Sequence, residues 1–402
     1  MPECDLLDEP PDGSRRFRRG AALTFVLLSV LAAGAAAGAW TDGHRSDDSA
    51  DRSRTTRPGP ADSRRDVADA AEEALSDGSS PLKAARRAVS RSGDRWGAVY
   101  SPGEYAEFEQ ALDGTYTGVG IWARRSPDGT VRISGVKSGS PAAHAGLRTG
   151  DRLRRIDGRR VDRLPVTEVL ARLRGDAGRT PPPGPGSAVT LDLGRGDRAW
   201  TATLKRARLS TDPVTVRRLG PGAGHALLIR VSSFTKGSGD RVREAVRAAP
   251  ADSGVLLDLR GNSGGLVTEA TRAASAFLDG GLVATYDVRG EQRSLHARRG
   301  GDTRRPVVTL VDGGTMSAAE LLTGALQDRG RAVVVGSRTF GKGSVQMPSE
   351  LPDGSVAELT VGHYRTPTGR NLDGHGITPD LEADEGTRAR AEQVLTGLGT
   401  PS

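Results

Sequence analysis

Apolar residues are distributed differently in successive parts of the chain, and this distribution suggests its organisation. Residues 20–40 (GAALTFVLLSVLAAGAAAGAW) carry no charge over a length that could cross the hydrocarbon core of a membrane. Residues 41–63 have almost no large apolar side chains, so we expect a flexible linker there. Between residues 64 and 114 apolar side chains such as Val67 and Ala71 recur at helical spacing, which predicts a short helical segment.

The rest of the chain predicts two folded units of different architecture. Residues 115–207 alternate short strand-like stretches with turns, and they include one short and one longer helical stretch. In residues 208–384, continuous apolar strands alternate with helical stretches, which is typical of a mostly parallel sheet covered by helices on both faces. Residues 385–402 predict a short surface helix and a frayed tail. The predicted fold class is therefore multidomain, with an α+β unit followed by an α/β core.

The segment at 20–40 also predicts where the folded part is located. Four arginines precede it within residues 1–19, and by the positive-inside rule they keep this basic tail in the cytoplasm. We expect a retained single-pass signal anchor that sends the rest of the chain outside the cell membrane. A cleaved signal peptide is the alternative, because Ala37-Gly38-Ala39 is a possible cleavage site. The protein would then be secreted.

Charge and cysteine content exclude several classes of protein. The net charge is +7, yet acidic residues are interspersed among the basic ones and no nucleic-acid motif is present, so we expect no nucleic-acid partner. Cys4 is the only cysteine, which rules out an intramolecular disulfide and a cysteine-ligated zinc site. No metal-ligand spacing occurs, and we expect neither a metal nor another cofactor. No pattern specifies an oligomeric state.

A glycine-rich turn follows one of the predicted core strands. In LDLRGNSGG (257–265), Gly261, Gly264 and Gly265 would let the backbone approach a ligand closely and expose N–H donors, as an oxyanion hole requires. An ordinary turn between a strand and a helix is the simpler interpretation of this stretch alone.

A serine opens the helix after another strand, in VDGGTMSAAELL (311–322). Ser317 could be a plain helix cap, and with Glu320 it fits a capping box. The same position would also suit a nucleophile, because the N–H groups and the dipole of the helix could stabilise a developing oxyanion.

A lysine lies between two glycines in SRTFGKGSVQ (337–346). Lys342 in such a setting is usually exposed or in contact with a phosphate, but the residues before it do not form a P-loop. No acidic residue lies within five positions of it. A lysine acts as a base only when it is neutral, and burial in a site without carboxylates could lower its pKa enough.

Together these three stretches resemble the carboxyl-terminal processing proteases, the tail-specific Ser-Lys peptidases of family S41. The resemblance covers about residues 70–384, and its most specific element is the serine of SAAE placed 25 residues before the lysine of FGKGSVQ. It implies that Ser317 is the nucleophile, Lys342 the general base and Gln346 the residue that positions the lysine. It also implies an oxyanion hole formed by the N–H of Ala318 and that of Gly264 or Gly265. The expected activity is that of a serine endopeptidase acting on extracytoplasmic proteins near their C-termini.

By the same resemblance, residues 115–207 are a PDZ domain inserted before the protease core at 208–384. Its carboxylate-binding loop would be GVGI, formed by Gly118, Val119, Gly120 and Ile121. Successive N–H groups of such a loop can bind a peptide's C-terminal carboxylate while the peptide adds to the sheet as a strand. The expected partners are therefore protein and peptide substrates.

Two alternatives remain open at this point. The stretch GNSGG (261–265) also resembles the nucleophile region of chymotrypsin-like proteases, which would make Ser263 catalytic, but no room remains for their double β-barrel. The chain could instead be an inactive PDZ adaptor, since Ala319 replaces a hydroxyl residue common among relatives. We expect Asp328 to be structural.

Two histidines, His363 and His375, are expected at the surface or in packing positions, because a Ser-Lys mechanism needs neither.

Overall fold

The computed structural model describes residues 60–399 except 127, 163, 176–182, 221–225 and 289–290. The predicted cytoplasmic tail, membrane anchor and most of the linker lie outside these residues. Within the described ranges, no helix is both long and apolar enough to cross a membrane.

The N-terminal segment is a helical hairpin followed by a short strand and a third helix. Its elements are α1 (Pro60–Ser76), α2 (Pro81–Ser92), β1 (Ala98–Tyr100) and α3 (Pro102–Leu112). Prolines in the first turn and serine caps begin α2 and α3, as helix-start rules predict. The apolar faces of α1 and α2 pack on Ala357 and Leu359 of the core. The predicted helical segment is thus interrupted by β1.

Residues 115–210 form a separate antiparallel module around their own apolar cluster, whose members include Ile133, Leu153 and Leu191. Its elements are β2 (Thr115–Gly118), β3 (Ile121–Arg125), β4 (Val131–Val136), α4 (Pro141–His144), β5 (Arg152–Ile156), β6 (Arg159–Arg160), α5 (Val166–Arg174), β7 (Ala188–Arg195), β8 (Arg198–Lys205) and β9 (Ala207–Ser210). One sheet has the order β3-β4-β5-β7-β8, with β6 paired to β5. The strands β2 and β9 pair where the chain enters and leaves the module.

The core contains a six-stranded sheet that is mostly parallel. Its strands, in spatial order, are β10 (Val214–Arg218), β11 (Leu227–Val231), β12 (Val255–Asp258), β15 (Val307–Val311), β16 (Val333–Gly336) and β19 (Leu381–Glu382). Only the pair β10-β11 is antiparallel. Because parallel strands end at the same edge of a sheet, the loops that follow β12, β15 and β16 lie next to one another. These loops contain the three stretches singled out in the sequence.

Helices cover both faces of this sheet. One face packs against α6 (Ser238–Ala248), α7 (Val267–Ala274) and α8 (Ala318–Asp328) in the largest apolar cluster. The other face is covered by α9 (Thr387–Gly399), whose Ala391 and Leu395 are buried against the strands. The C-terminal helix, expected as a surface element with a frayed end, is therefore part of the core.

A second, antiparallel sheet was not predicted from the sequence. It consists of β1, β13 (Leu282–Val288), β14 (Glu291–His296), β17 (Ser344–Glu350) and β18 (Val356–Arg365). The strand β18 pairs with β1, β13 and β17, and it joins the N-terminal segment to the core. Strands such as EQRSLH and SVQMPSE carry too few apolar residues to be recognised by their pattern.

Candidate active site

Ser317 lies at the turn between β15 and α8 and has an unusual backbone conformation. Its φ is 54° and its ψ is −119°. The capping serines Ser80, Ser101 and Ser140 instead have extended backbones with negative φ, the ordinary conformation of a helix cap. Among the described non-glycine residues, only Asp157 shares a positive φ with Ser317. Such a conformation costs about 1–3 kcal/mol and is typically found at functional sites.

Hydrogen bonds between two loops hold this turn in place. Asp312 Oδ1 accepts from the N–H of Gly261 at 2.8 Å and from that of Gly314 at 2.9 Å. The hydroxyl of Thr315 donates to the carbonyl of Leu259 at 3.0 Å. The nucleophile candidate's turn and the glycine-rich turn are therefore fixed to each other.

The glycine-rich turn packs directly against Ser317. A Cβ at Gly264 would lie 2.9 Å from the Cβ of Ser317 and 3.2 Å from the N atom of Ala318, so the absence of a side chain permits the contact. The N–H of Gly264 donates to Asn262 Oδ1 at 2.8 Å. Within the described chain, no acceptor is found for the N–H groups of Gly265 and Ala318. The N–H groups of Gly265 and Ala318 are thus available as oxyanion donors, whereas Gly264 lets the turn pack closely on Ser317.

Glu320 connects the loop of Ser317 to the loop of Lys342. Its buried carboxylate accepts from the N–H of Ser317 at 2.9 Å and from that of Lys342 at 2.8 Å, both at Oε2. The other oxygen accepts from the N–H of Gly341 at 2.7 Å and from the hydroxyl of Thr339 at 2.5 Å. Burial raises the pKa of the Glu320 carboxyl, although these hydrogen bonds oppose the rise.

This role of Glu320 was missed in the sequence, where the residue suggests a capping box alone. The Ser317 N–H bond is the expected half of such a box. The bonds to residues 339–342 appear only when the loops after β15 and β16 lie side by side.

Lys342 is positioned by close backbone packing on both sides. A Cβ at Gly341 would lie 3.0 Å from the backbone N atoms of His375 and Gly376, and one at Gly343 would lie 2.3 Å from that of Asp373. The two glycines therefore let the lysine loop pack against residues 372–376.

Burial lowers the pKa of the Lys342 amine, as a general base requires. The expectation of a site without carboxylates is wrong, because Glu358 and Asp94 approach from other elements and partly oppose this effect. Both are distant in sequence, so the residues flanking the lysine could not reveal them.

Gln346 does not contact Lys342 through its amide N–H groups. These donate to the carbonyl of Trp96 at 3.5 Å and to the hydroxyl of Ser344 at 3.2 Å. The predicted positioning of the lysine by Gln346 would therefore be indirect in this arrangement.

Two other residues considered in the sequence have clear surroundings. Asp328, at the end of α8, accepts from the N–H of Thr368 at 2.9 Å and pairs with Arg370, so it holds a turn of the core. The exposed side chains of His363 and His375 contact Asp373 and not the dyad candidates. In the described ranges, no cluster of three or more metal-ligating side chains occurs.

The predicted peptide-binding loop joins β2 to β3. Gly118 ends β2, Ile121 begins β3, and the carbonyls of Val119 and Gly120 accept from Ala142 and Lys137 at 3.0 and 2.9 Å. No acceptor for the N–H groups of residues 119 and 120 is found in the described part of the chain. Gly120 has a φ of 80°, and a Cβ there would clash with Ser140. The loop therefore has free donors next to β3.

The mostly parallel sheet covered by helices and the antiparallel module are two folded units, and comparisons with known proteins identify both. Residues 225–383 match the model of peptidase family S41, and residues 132–181 match that of the PDZ domain. The chain belongs to peptidase family S41. The described core is a mostly parallel sheet covered by helices, not the double β-barrel that the chymotrypsin-like alternative at Ser263 requires.

Several relatives are named carboxyl-terminal-processing peptidases or proteases. The chain is 33% identical over 313 residues to carboxyl-terminal-processing peptidase 2, chloroplastic, of Arabidopsis thaliana, covering 74% of this chain and 59% of that protein. It is 35% identical over 289 residues to the carboxyl-terminal-processing protease of Synechocystis sp., covering 69% and 65%. The matched region thus spans about three fifths of these relatives' length. A solved structure of the photosystem II D1 C-terminal processing protease matches with a TM-score of 0.47 and 28% identity, covering 80% of this chain and 86% of that one.

Proposed function

We propose that this protein is a serine endopeptidase in which Ser317 attacks the scissile carbonyl and Lys342 acts as general base. The observation that carries the proposal is the strained Ser317, packed on Gly264 and joined through Glu320 to the loop of Lys342. An ordinary cap would need neither the strain nor the link.

In the proposed mechanism, neutral Lys342 takes the hydroxyl proton of Ser317 as Oγ bonds to the carbonyl carbon. The N–H groups of Ala318 and Gly265 stabilise the oxyanion, since neither has an acceptor in the described chain. The tetrahedral intermediate collapses, and the departing amine takes the proton from the Lys342 ammonium. Water then attacks the acyl ester, Lys342 accepts its proton, and Ser317 recovers a hydrogen as the acid product leaves.

Substrate recruitment by the PDZ module is also proposed. The free N–H groups of Val119 and Gly120, beside the first residue of β3 (Ile121) and the last of β2 (Gly118), could bind a C-terminal carboxylate. Relatives are named for processing carboxyl termini. We therefore propose cleavage of proteins near their C-termini.

For location, we propose that residues 20–40 anchor the protein in the cell membrane with the catalytic part outside. The test is carbonate extraction of membranes combined with N-terminal sequencing of the mature protein. Retention of the anchor and membrane association support the proposal. A mature N-terminus near residue 40 in the medium would replace it with secretion.

The activity is tested with the full chain in detergent, incubated with an unfolded protein and with a peptide that has a free or an amidated C-terminus. Ser317→Ala and Lys342→Ala should each lower kcat/KM by about 10³-fold or more. Ser263→Ala is the matched control and should retain activity. Amidation should raise KM more than it lowers kcat.

Two results of this assay would contradict different parts of the proposal. Full activity of Lys342→Ala would refute the Ser-Lys mechanism. Binding of C-terminal peptides by a wild-type chain that cleaves nothing would favour the inactive adaptor.

A further inference from the structure

A tryptophan from the N-terminal segment lies on the candidate general base. Trp96, between α2 and β1, has its ring centroid 5.3 Å from Nζ of Lys342. The same ring lies 5.6 Å from that of Phe340, which is 43% exposed beside the lysine. The lysine amine is therefore covered by a residue that belongs to neither the parallel sheet nor the loops that follow it.

Several hydrogen bonds fix Trp96 in this position. Asp94 Oδ1 accepts from the N–H of Trp96 at 3.1 Å, while Oδ2 accepts from the N–H of Thr360 at 2.7 Å. The indole Nε1 donates to Asp373 Oδ1 at 3.3 Å. Because Thr360 lies in β18 and Asp373 in the loop that packs on Gly343, the turn and the ring are both attached to the active-site scaffold.

The backbone of Trp96 also meets Gln346. The amide of Gln346 donates to the carbonyl of Trp96 at 3.5 Å. Gln346 is paired in register with Thr360, the residue that Asp94 holds. The glutamine expected to position the lysine thus contacts the residue that covers it.

We propose that Trp96 is a positioning residue of the Ser317–Lys342 site: its indole shields the Lys342 amine from water, while its carbonyl accepts from the amide of Gln346. The inference rests on the proposed peptidase function. It makes the N-terminal segment a component of the catalytic site, through the turn at residues 94–97 that carries Trp96.

Two effects of the ring on the amine oppose each other. A π face attracts an ammonium, which favours the charged form of the amine. Exclusion of water disfavours the charged form, and for a buried ion this desolvation is the larger effect. Arg95 Cζ lies 4.8 Å from the same ring centroid, so the ring already has another cation as a partner. We therefore expect shielding to dominate.

The other charged groups around Lys342 act in known directions. Glu358 on β18 and Asp94 favour the ammonium form. Glu320 on α8 binds the Lys342 backbone N–H, and Asp373 contacts Trp96 and the exposed His363. With these groups unchanged, replacing Trp96 by alanine admits water and raises the pKa of Lys342.

The test uses the full chain in detergent with Trp96→Ala, Trp96→Leu and Trp96→Phe. The rate of reductive methylation of Lys342 is measured against pH by peptide mass spectrometry, with exposed Lys83 and Lys205 as internal references. In parallel, kcat/KM for a peptide is measured over the same pH range. Trp200→Ala is the matched control, because this tryptophan lies on β8 of the PDZ module.

The expected result for Trp96→Ala is a methylation midpoint and an acidic limb of kcat/KM both moved to higher pH. A loss of kcat/KM of about tenfold at pH 7 should accompany it. Trp96→Phe and Trp96→Leu keep an apolar cover and should stay near wild type, as should Trp200→Ala. Thermal unfolding of each variant verifies that it is folded.

The shielding role would be overturned if a folded Trp96→Ala had the methylation midpoint of the wild type. It would also be overturned if Trp96→Leu shifted the midpoint as much as Trp96→Ala does. The methylation readout does not depend on turnover. If Lys342→Ala retained activity while the midpoint still moved in Trp96→Ala, the peptidase mechanism would fail and the shielding would stand.

Discussion

Replacement of Glu320 by glutamine tests whether one buried carboxylate holds the two halves of the site together. The carboxylate is fully buried and accepts four hydrogen bonds, from Ser317, Thr339, Gly341 and Lys342. Glutamine has nearly the same shape but offers one oxygen and one NH₂ group. In either orientation of the amide, at least one backbone N–H would face a second donor.

The loss of stability can be worked out from the amide orientation that keeps more of the backbone hydrogen bonds. If the amide oxygen takes the place of Oε2, the bonds to Ser317 and Lys342 remain, but the N–H of Gly341 loses its acceptor. An unsatisfied buried donor costs about 1–3 kcal/mol, and the remaining bonds lose their charge assistance. Relief of the buried charge offsets part of this loss, because burial raises the pKa of the Glu320 carboxyl. We expect a net destabilisation of about 2 kcal/mol.

We also expect kcat/KM of Glu320→Gln to fall by about 10²-fold, because a misplacement of about 1 Å between reacting groups can cost that much in rate. The assay measures thermal unfolding and kcat/KM of Glu320→Gln in the full chain. Glu269→Gln is the matched control: Glu269 is also buried, but it accepts from the N–H of Gly239 at 2.9 Å and pairs with Arg272, and none of these bonds involves the loops of Ser317 or Lys342. A Glu320→Gln enzyme as active and stable as the wild type, or a Glu269→Gln enzyme with the same loss of activity, would refute the reasoning.

Three further predictions test other parts of the structure. Gly264→Ala should lower kcat/KM by about 10²-fold, since the new Cβ would lie 2.9 Å from that of the candidate nucleophile and φ is 99°. In Glu358→Gln, the acidic limb of the pH–rate profile should move to lower pH, because the carboxylate raises the pKa of Lys342 and its loss leaves the amine neutral in more acidic solution. Leu395→Ala, in the C-terminal helix, should destabilise the core by about 2–5 kcal/mol in denaturant unfolding, whereas Leu398→Ala, at a half-exposed position, should change it by less than about 0.5 kcal/mol.

Local patterns were sufficient to predict the loops that form the site. Continuous apolar strands indicate a parallel sheet, and such a sheet brings together the loops after its strands, here those of Gly264, Ser317 and Lys342. The resemblance to the Ser-Lys peptidases, carried by the 25-residue spacing, then singles out Ser317 and Lys342. The assignment of their catalytic roles remains a prediction.

Contacts between distant segments were beyond such patterns. Gln346 and Trp96 are 250 positions apart and meet only because β1 and β17 both pair with β18. Glu358 approaches Lys342 from β18. Because it is distant in sequence, the residues flanking the lysine wrongly suggest a site free of carboxylates. The strands of the antiparallel sheet are too polar to be recognised from the sequence, so the charged groups that they bring close to Lys342 could not be predicted.

In the proposed Ser-Lys mechanism, the geometry of the reacting groups and the pKa of the lysine would depend on different sheets. Geometry depends on the parallel sheet: Glu320 binds the backbone N–H groups of both Ser317 and Lys342 and fixes the two loops regardless of the lysine's charge. The pKa of the Lys342 amine is raised by Glu358 on β18 and by Asp94, which is hydrogen-bonded to β18, and in our proposal the indole of Trp96 opposes them. Substitutions of Glu320 should therefore change rates at all pH values, and those of Trp96 or Glu358 should move the pH profile.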